Sequence, residues 1–223
     1  MDKRAKRRSG FSLLELLITL VVMMVVTVAA FPTISKNLQV IRLRSSAEDF
    51  ASLLQRDRIQ AVKDNRYYTT YFTNNGTQAC MDLDWSHTCG AGEPSISLAS
   101  NVSFVTDGSG PSMDMIACGT AGNVACTAGF TGLNYTQEAP TVLPSYNSRG
   151  LPCVGNPTTP PPVWTANSPC SEFDNTVTPA RPVGLLYELR YTGSSGNSYA
   201  AIAVTPAGLV SVWLYNGTSW QQE

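Results

Sequence analysis

The chain has 223 residues, 43% of them hydrophobic and only 14% charged, with a formal net charge of −1. That length suits one medium domain, or a domain carrying a long anchor. The near-neutral balance hides a segregation: Lys3, Arg4, Lys6, Arg7 and Arg8 stand against Asp2 in residues 1–10, whereas from residue 67 onward three bases face ten acids, a balance of −7. A basic start followed by an acidic body argues against a nucleic-acid-binding body and points to membrane topology.

Residues 11–31, FSLLELLITLVVMMVVTVAAF, follow the basic stretch directly and contain no Lys or Arg and one acid, Glu15. As a helix they would span about 31 Å, the thickness of a bilayer's hydrocarbon layer. The flanking bases predict a cytoplasmic N-terminus with the remainder on the far side. A secretory signal cut after Ala30, at Val28-Ala29-Ala30, or a plain signal anchor would account for the apolar run. Neither accounts for Glu15, because a carboxylate inside a membrane span costs about 2.5–3.5 kcal/mol and marks a functional partner.

Ser9-Gly10-Phe11-Ser12-Leu13-Leu14-Glu15 resembles the prepilin processing and methylation motif of type IV pilin-like proteins. The resemblance implies that a membrane peptidase cuts between Gly10 and Phe11, that Phe11 is then N-methylated, and that Glu15 makes a contact within a filament. A carboxylate there would offset the new ammonium of Phe11 in apolar surroundings. Pro32 falls where the family tends to have a proline, and a proline inside a helix kinks or locally melts it.

From Ile34 to about residue 64 the pattern is that of an amphipathic helix: Ile34, Leu38 and Ile41, then Ala47, Phe50, Ala51, Leu54 and Ala61. Lys36, Arg42, Arg44, Glu48, Asp49, Arg56, Asp57, Arg58 and Lys63 are expected on the other faces. The apolar stripe needs a sheet to cover it. Strands are predicted at Tyr67–Thr73, with an Asn74-Asn75-Gly76 turn, at Ala79–Trp85 and at Ile96–Val105. Residues 155–182 are proline-rich and loop-like, and Gly184–Tyr191, Tyr199–Val204 and Leu209–Tyr215 form an antiparallel meander. The predicted class is therefore α+β. Its parts are a leader over 1–10, an apolar helix over 11–33, an amphipathic helix over 34–65 and a β-rich periplasmic head over 66–223.

Leu43–Ala47, Leu54–Ala61 and the Tyr-rich strand after them resemble the pseudopilin GspH and the minor pilins FimT and FimU. Tyr146–Leu151 and Val204–Gly208 resemble that group's internal turn and last hairpin. The resemblance implies a filament subunit of a type IV pilus or a type II secretion pseudopilus, acting in initiation or assembly. Its partners would be the prepilin peptidase, other pilins and the inner-membrane assembly platform. A major pilin forming the shaft is the alternative. A DNA-receptor role is disfavoured, because Pro206–Ser211 holds no Lys or Arg to contact phosphate.

Six cysteines, Cys80, Cys89, Cys118, Cys126, Cys153 and Cys170, follow the apolar segment with no C-x-x-C pair. They read as disulfides in an oxidising compartment, with neighbours expected to pair: 80 with 89, 118 with 126 and 153 with 170. The lone histidine, His87, and the absence of hydrolase or zinc-protease motifs predict no enzyme, and no cofactor is expected. Asp82, Asp84 and His87 could be drawn as metal ligands, but the aspartates are expected on the solvated face of a strand, so no metal is predicted. Trp213, Tyr215 and Trp220 are expected to pack rather than to bind.

Overall fold

One α-helix, α1, runs over Leu13–Asp64, with Pro32 inside it. The computed structural model describes residues 12–73, 76–84, 86, 88–105, 111, 125–127, 143–153, 173–174, 181–193 and 196–223, the side chains of 29–35, 125–127, 173–174 and 181–183 excepted. It divides into two units, Met1–Leu38 and Gln39–Glu223. Gly10 and Phe11, the leader, Asn74-Asn75, Trp85, His87, Cys118 and Cys170 lie outside the described residues, as does most of 155–182. Residues 29–35 are helical, and any bend at Pro32 lies outside what is described.

The end of α1 is set by its sequence. Asn65 adopts φ 51°, in the left-handed region where asparagine is tolerated. Arg66 N–H donates to Ala61 O at 3.1 Å and Asn65 N–H to Val62 O at 3.3 Å. These are the two bonds of a Schellman motif, and they turn the chain directly into the first strand.

In the second unit, the helix presents Leu43, Ala47, Phe50, Leu54 and Ala61, all buried, to two sheets. The first sheet has the order β3-β2-β1-β6-β7. Its strands are β1 (Tyr68–Thr73), β2 (Gln78–Asp82), β3 (Ser95–Ser97), β6 (Ser145–Tyr146) and β7 (Pro152–Cys153). The second follows β12-β11-β10-β9-β4, with β5 and β8 also paired to β9. It comprises β4 (Val102–Phe104), β5 (Ala125–Thr127), β8 (Phe173–Asp174), β9 (Arg181–Gly193), β10 (Gly196–Val204), β11 (Val210–Tyr215) and β12 (Trp220–Gln222). All pairings are antiparallel except β5 with β9. The fold is α+β and consistent with a pilin fold.

Alternation along the strands builds the core. Leu185, Tyr187 and Leu189 of β9 point to the helix side, as do Ala200, Ile202 and Val204 of β10. Register places Tyr187 opposite Ile202 and Leu189 opposite Ala200. Phe50 is the hub, its ring centroid 5.0 Å from Phe104, 5.5 Å from Tyr187 and 5.6 Å from Phe72. The opposite face of the second sheet carries a smaller cluster of Leu186, Ala201, Ala203 and Trp220. Tyr199, Trp213 and Tyr215 pack on it, so Trp213, Tyr215 and Trp220 share one packed face.

Two charged residues depart from expectation. Asp57, expected on an exposed face, is fully buried. It falls between Leu54 and Ala61 on the apolar stripe, so the helical period carries it inward. Asp82, expected on a solvated face, is buried too, on the side of β2 shared with Cys80. Cys80 is disulfide-bonded to Cys89, which returns the intervening loop to that side. The strand expected over Ala79–Trp85 stops at Asp82, and the one expected over Ile96–Val105 is split into β3 and β4. Cys153 is disulfide-bonded as well.

Because Phe50 meets three aromatic rings with no exposure, Phe50→Ala opens a cavity that the sheets cannot both close around. Chemical denaturation of the detergent-solubilised full chain is expected to show a loss of about 3–5 kcal/mol.

Candidate functional site

The described N-terminal part of α1 is an apolar surface without a partner among the described residues. Leu13 is 84% exposed, Met23 71% and Met24 70%. Each polar side chain in this stretch has an identifiable fate. Thr19 Oγ1 donates to Leu16 O at 2.9 Å and Thr27 Oγ1 to Met23 O at 2.6 Å, so both hydroxyls are satisfied by their own helix. Such back-bonding makes threonine compatible with apolar surroundings. Glu15 has no such partner among the described residues. It lies exposed in the first turn, where Ser12 O accepts from the N–H groups of Glu15 and Leu16 at 3.0 and 3.1 Å. A carboxylate there also meets the positive end of the helix dipole. The structure therefore places one unpaired carboxylate on an otherwise apolar helical surface, at the end nearest Phe11.

Residues 5–31 match the family described as Prokaryotic N-terminal methylation motif. The chain is type IV pilin-like. No curated protein and no solved structure matches it. The matched residues contain Gly10, Phe11 and Glu15. For a type IV pilin-like chain the motif implies processing by the prepilin peptidase, methylation and assembly with other pilins. Among the described residues, no helix is long and apolar enough to cross a membrane. The described apolar stretch stops at Val28, short of the Phe31 that closes the run in sequence.

The head of this pilin-like chain contains two polar constructions that sequence reading missed. The first is Arg58. Its Nε donates to Gly150 O at 3.0 Å and its Nη2 to Ala207 O at 3.3 Å. One helix side chain thus joins the turn before β7 to the turn before β11, the same two turns singled out by resemblance. Both turns depend on glycine: Gly208 has φ 78°, and a Cβ on it would sit 2.5 Å from Gly150 O. In this chain the Val204–Gly208 turn is followed by one more hairpin, β11–β12.

The second is the buried Asp57. Thr70 Oγ1 donates to its Oδ2 at 2.6 Å, while Oδ1 has no partner among the described residues. Burial is the main cause that pushes its carboxyl up to about 7, with Asp82 adding to the effect and the Thr70 bond opposing it. Tyr146, whose hydroxyl is also buried without a partner, is pushed up by burial and then by Asp57. The signal for Asp57 was present in the spacing of 50, 54, 57 and 61; for Arg58 only the two turn glycines hinted.

A further acidic feature is a corner after β2, where one carboxylate oxygen each of Asp82, Asp84 and Glu93 lie within 4.8 Å of one another. Backbone amides meet them: Leu83 N–H and Gly90 N–H donate to Glu93 at 2.8 and 2.7 Å, and Ser86 N–H donates to Asp82 and Asp84 at 3.1 and 3.0 Å. Bonds from Ser86 hold the Asp84 carboxyl below its ordinary value. These contacts account for the corner as a tightly hydrogen-bonded turn.

Asp57 gives the head a pH dependence of definite sign. The folded state keeps its proton to about pH 7, whereas an unfolded aspartate loses it near pH ~4. The contribution to stability is therefore complete below about pH 4 and is lost as pH rises to about 7. Denaturation midpoints of the wild-type chain, compared with those of Asp57→Asn from pH 4 to 8, are expected to diverge, the variant gaining relative to wild type as pH rises and levelling above pH 7.

Proposed function

We propose that the chain is a structural subunit, of the GspH/FimT minor-pilin or pseudopilin kind, of a type IV pilus or type II secretion pseudopilus, acting in filament initiation and assembly. The observation that carries this reading is Glu15, the one unpaired carboxylate on an apolar helical surface, within residues that match the methylation motif. In this reading residues 1–10 are a leader removed by the prepilin peptidase between Gly10 and Phe11. Residues 11–33 anchor the chain in the inner membrane with the N-terminus cytoplasmic, and later join the filament core. The 34–65 helix carries the 66–223 head on the periplasmic side, where its six cysteines are oxidised.

The physical role of Glu15 follows from where its charge is tolerated. In a bilayer, an unpaired carboxylate favours a shallow position or protonation. In a bundle of helices it meets the methylated ammonium of Phe11, of its own or a neighbouring chain. That pair forms only on assembly, so the carboxylate stabilises the filament more than the free subunit. The structural role excludes nothing about which machine is served, and the assembly platform and fellow pilins are partners in either.

Glu15→Leu, expressed in place of the native gene, is expected to be cut normally at Gly10–Phe11 and retained in membranes while filament assembly or secretion falls. Loss of a buried pair's partner corresponds to about 3–5 kcal/mol per contact. Full assembly activity in the variant, read by filament shearing and immunodetection, refutes the role assigned to Glu15; a mature chain beginning at Phe31 refutes the pilin reading itself.

A further inference from the structure

The main chain of β11 turns alternately to its two neighbours. Ahead of it, Thr205 N–H donates to Leu209 O at 2.9 Å across the turn from β10. On the opposite edge, Asn216 N–H donates to Ser219 O and Glu223 N–H to Val212 O, each at 3.1 Å. Odd-numbered residues here therefore bond toward β10 and even-numbered ones toward β12, as an antiparallel ladder requires. Val210 is the even residue before Val212, and β12 does not extend to it. Its N–H and C=O therefore point outward at an edge with no described strand beside it. That edge opens into a groove of about 610 Å³ between α1 and the start of β11. Ile59, Val62 and Leu209 give it an apolar lining, Ile59 being 65% exposed and Leu209 61%. Arg58 and Lys63 line it too, with no acid among its lining residues. Asp64, the acid next to Lys63, is occupied by Tyr68 and Gln60. One wall is preformed, because Arg58 is tied to Gly150 O and Ala207 O.

Each of these features selects one property of an occupant. A free main-chain donor and acceptor on a sheet edge call for an extended backbone. The apolar lining calls for an apolar side chain on the residue that faces the helix, and the two cations call for an acid. We propose that the groove receives an extended, apolar and acidic segment of a different subunit of the same filament, added to β11 as a short edge strand at Val210. One residue of that segment exchanges two main-chain hydrogen bonds with Val210. An apolar side chain enters between Ile59, Val62 and Leu209, and a carboxylate meets Lys63. Exposed ion pairs contribute little affinity, so the main-chain bonds and the apolar insertion hold the contact, and the charges choose the partner. A subunit that initiates a filament is present in few copies, so its neighbours are other pilins rather than itself. The inference rests on the filament-subunit reading and adds the surface that meets a neighbour and the chemistry of the segment it takes.

The test uses the full chain, expressed from its own gene in cells that make the filament. The photo-reactive residue p-benzoylphenylalanine replaces Ile59, and illuminated membranes are examined for adducts by mass and peptide mapping. The expected adduct joins position 59 to another chain with a prepilin motif, in a segment with an acid within about two residues of the linked site. Lys63→Glu is expected to lower its yield about fivefold, and exchange of that acid for lysine in the partner is expected to restore it. Val210→Pro removes the outward N–H and is expected to lower the yield about fivefold, whereas Val210→Ala keeps that N–H and the yield. If Val210→Pro lowers the thermal midpoint of the head below that of Val210→Ala, the charge-exchange pair alone decides. An adduct to a second copy of this chain, to lipid or to a segment without an acid overturns the proposal. So does equal yield from two folded Val210 variants, or a charge exchange that restores nothing. The start of the mature chain is read in the same samples. Absence of adduct with normal cleavage at Gly10–Phe11 overturns the docking alone, whereas absence of that cleavage overturns the subunit reading with it.

Discussion

The rest of the head depends on the covering of one helical stripe. α1 carries Leu43, Ala47, Phe50, Leu54 and Ala61 along one side, and none of these can be left in water without loss of the main driving force for folding. No single sheet covers the stripe. Phe50 meets Phe72 of the first sheet and Phe104 and Tyr187 of the second, so both sheets converge on one ring. The two-sheet arrangement follows from that: β1 leaves the helix directly after Asn65 to cover one flank, and the β9–β12 meander covers the other. Arg58 then closes the far end by holding two turns from different sheets on the same side chain.

The two ends of α1 answer to different solvents. In the second unit its polar and apolar residues are sorted by a sheet. In the first, the described stretch Leu13–Val28 is apolar apart from Glu15 and two threonines, which turn their hydroxyls back on the helix. A helix apolar on every side needs surroundings that are apolar on every side. On the filament-subunit reading proposed above, a membrane would supply this before assembly and other helices afterwards, and Glu15 would be the group that distinguishes the two states.

How much of this was legible in the sequence varied with the kind of signal. The helix and the terminal meander rest on period and spacing and were readable directly, and the prepilin motif was legible through its resemblance to a known family. The short strands β5 to β8 were not readable, because two- and three-residue pairings exist only through their partners. Asp57 was misread through its chemistry: a carboxyl is usually solvated, yet its position on the stripe outweighed that preference, with Thr70 and a raised proton affinity offsetting the burial. Asp82 was misread for a related reason, since alternation shows which face a residue takes but not that a disulfide-closed loop will return to cover it. Arg58 was placed among surface charges because nothing local to it announces two carbonyls 92 and 149 residues away.

That separation bears on the order of events during synthesis. The ribosome releases α1 first and the turn containing Ala207 nearly last, so the carbonyl that Arg58 needs does not exist while most of the chain is being made. Tyr187 and Ile202, which cover Phe50 and its neighbours, also arrive late. For most of translation the stripe on α1 has only β1 and β2 to shelter it, and distant contacts of this kind close slowly. A chain built this way is exposed to wrong partners for longer than its finished stability would suggest. The interval between emergence of Phe50 and emergence of Val204 is when the stripe has the least shelter.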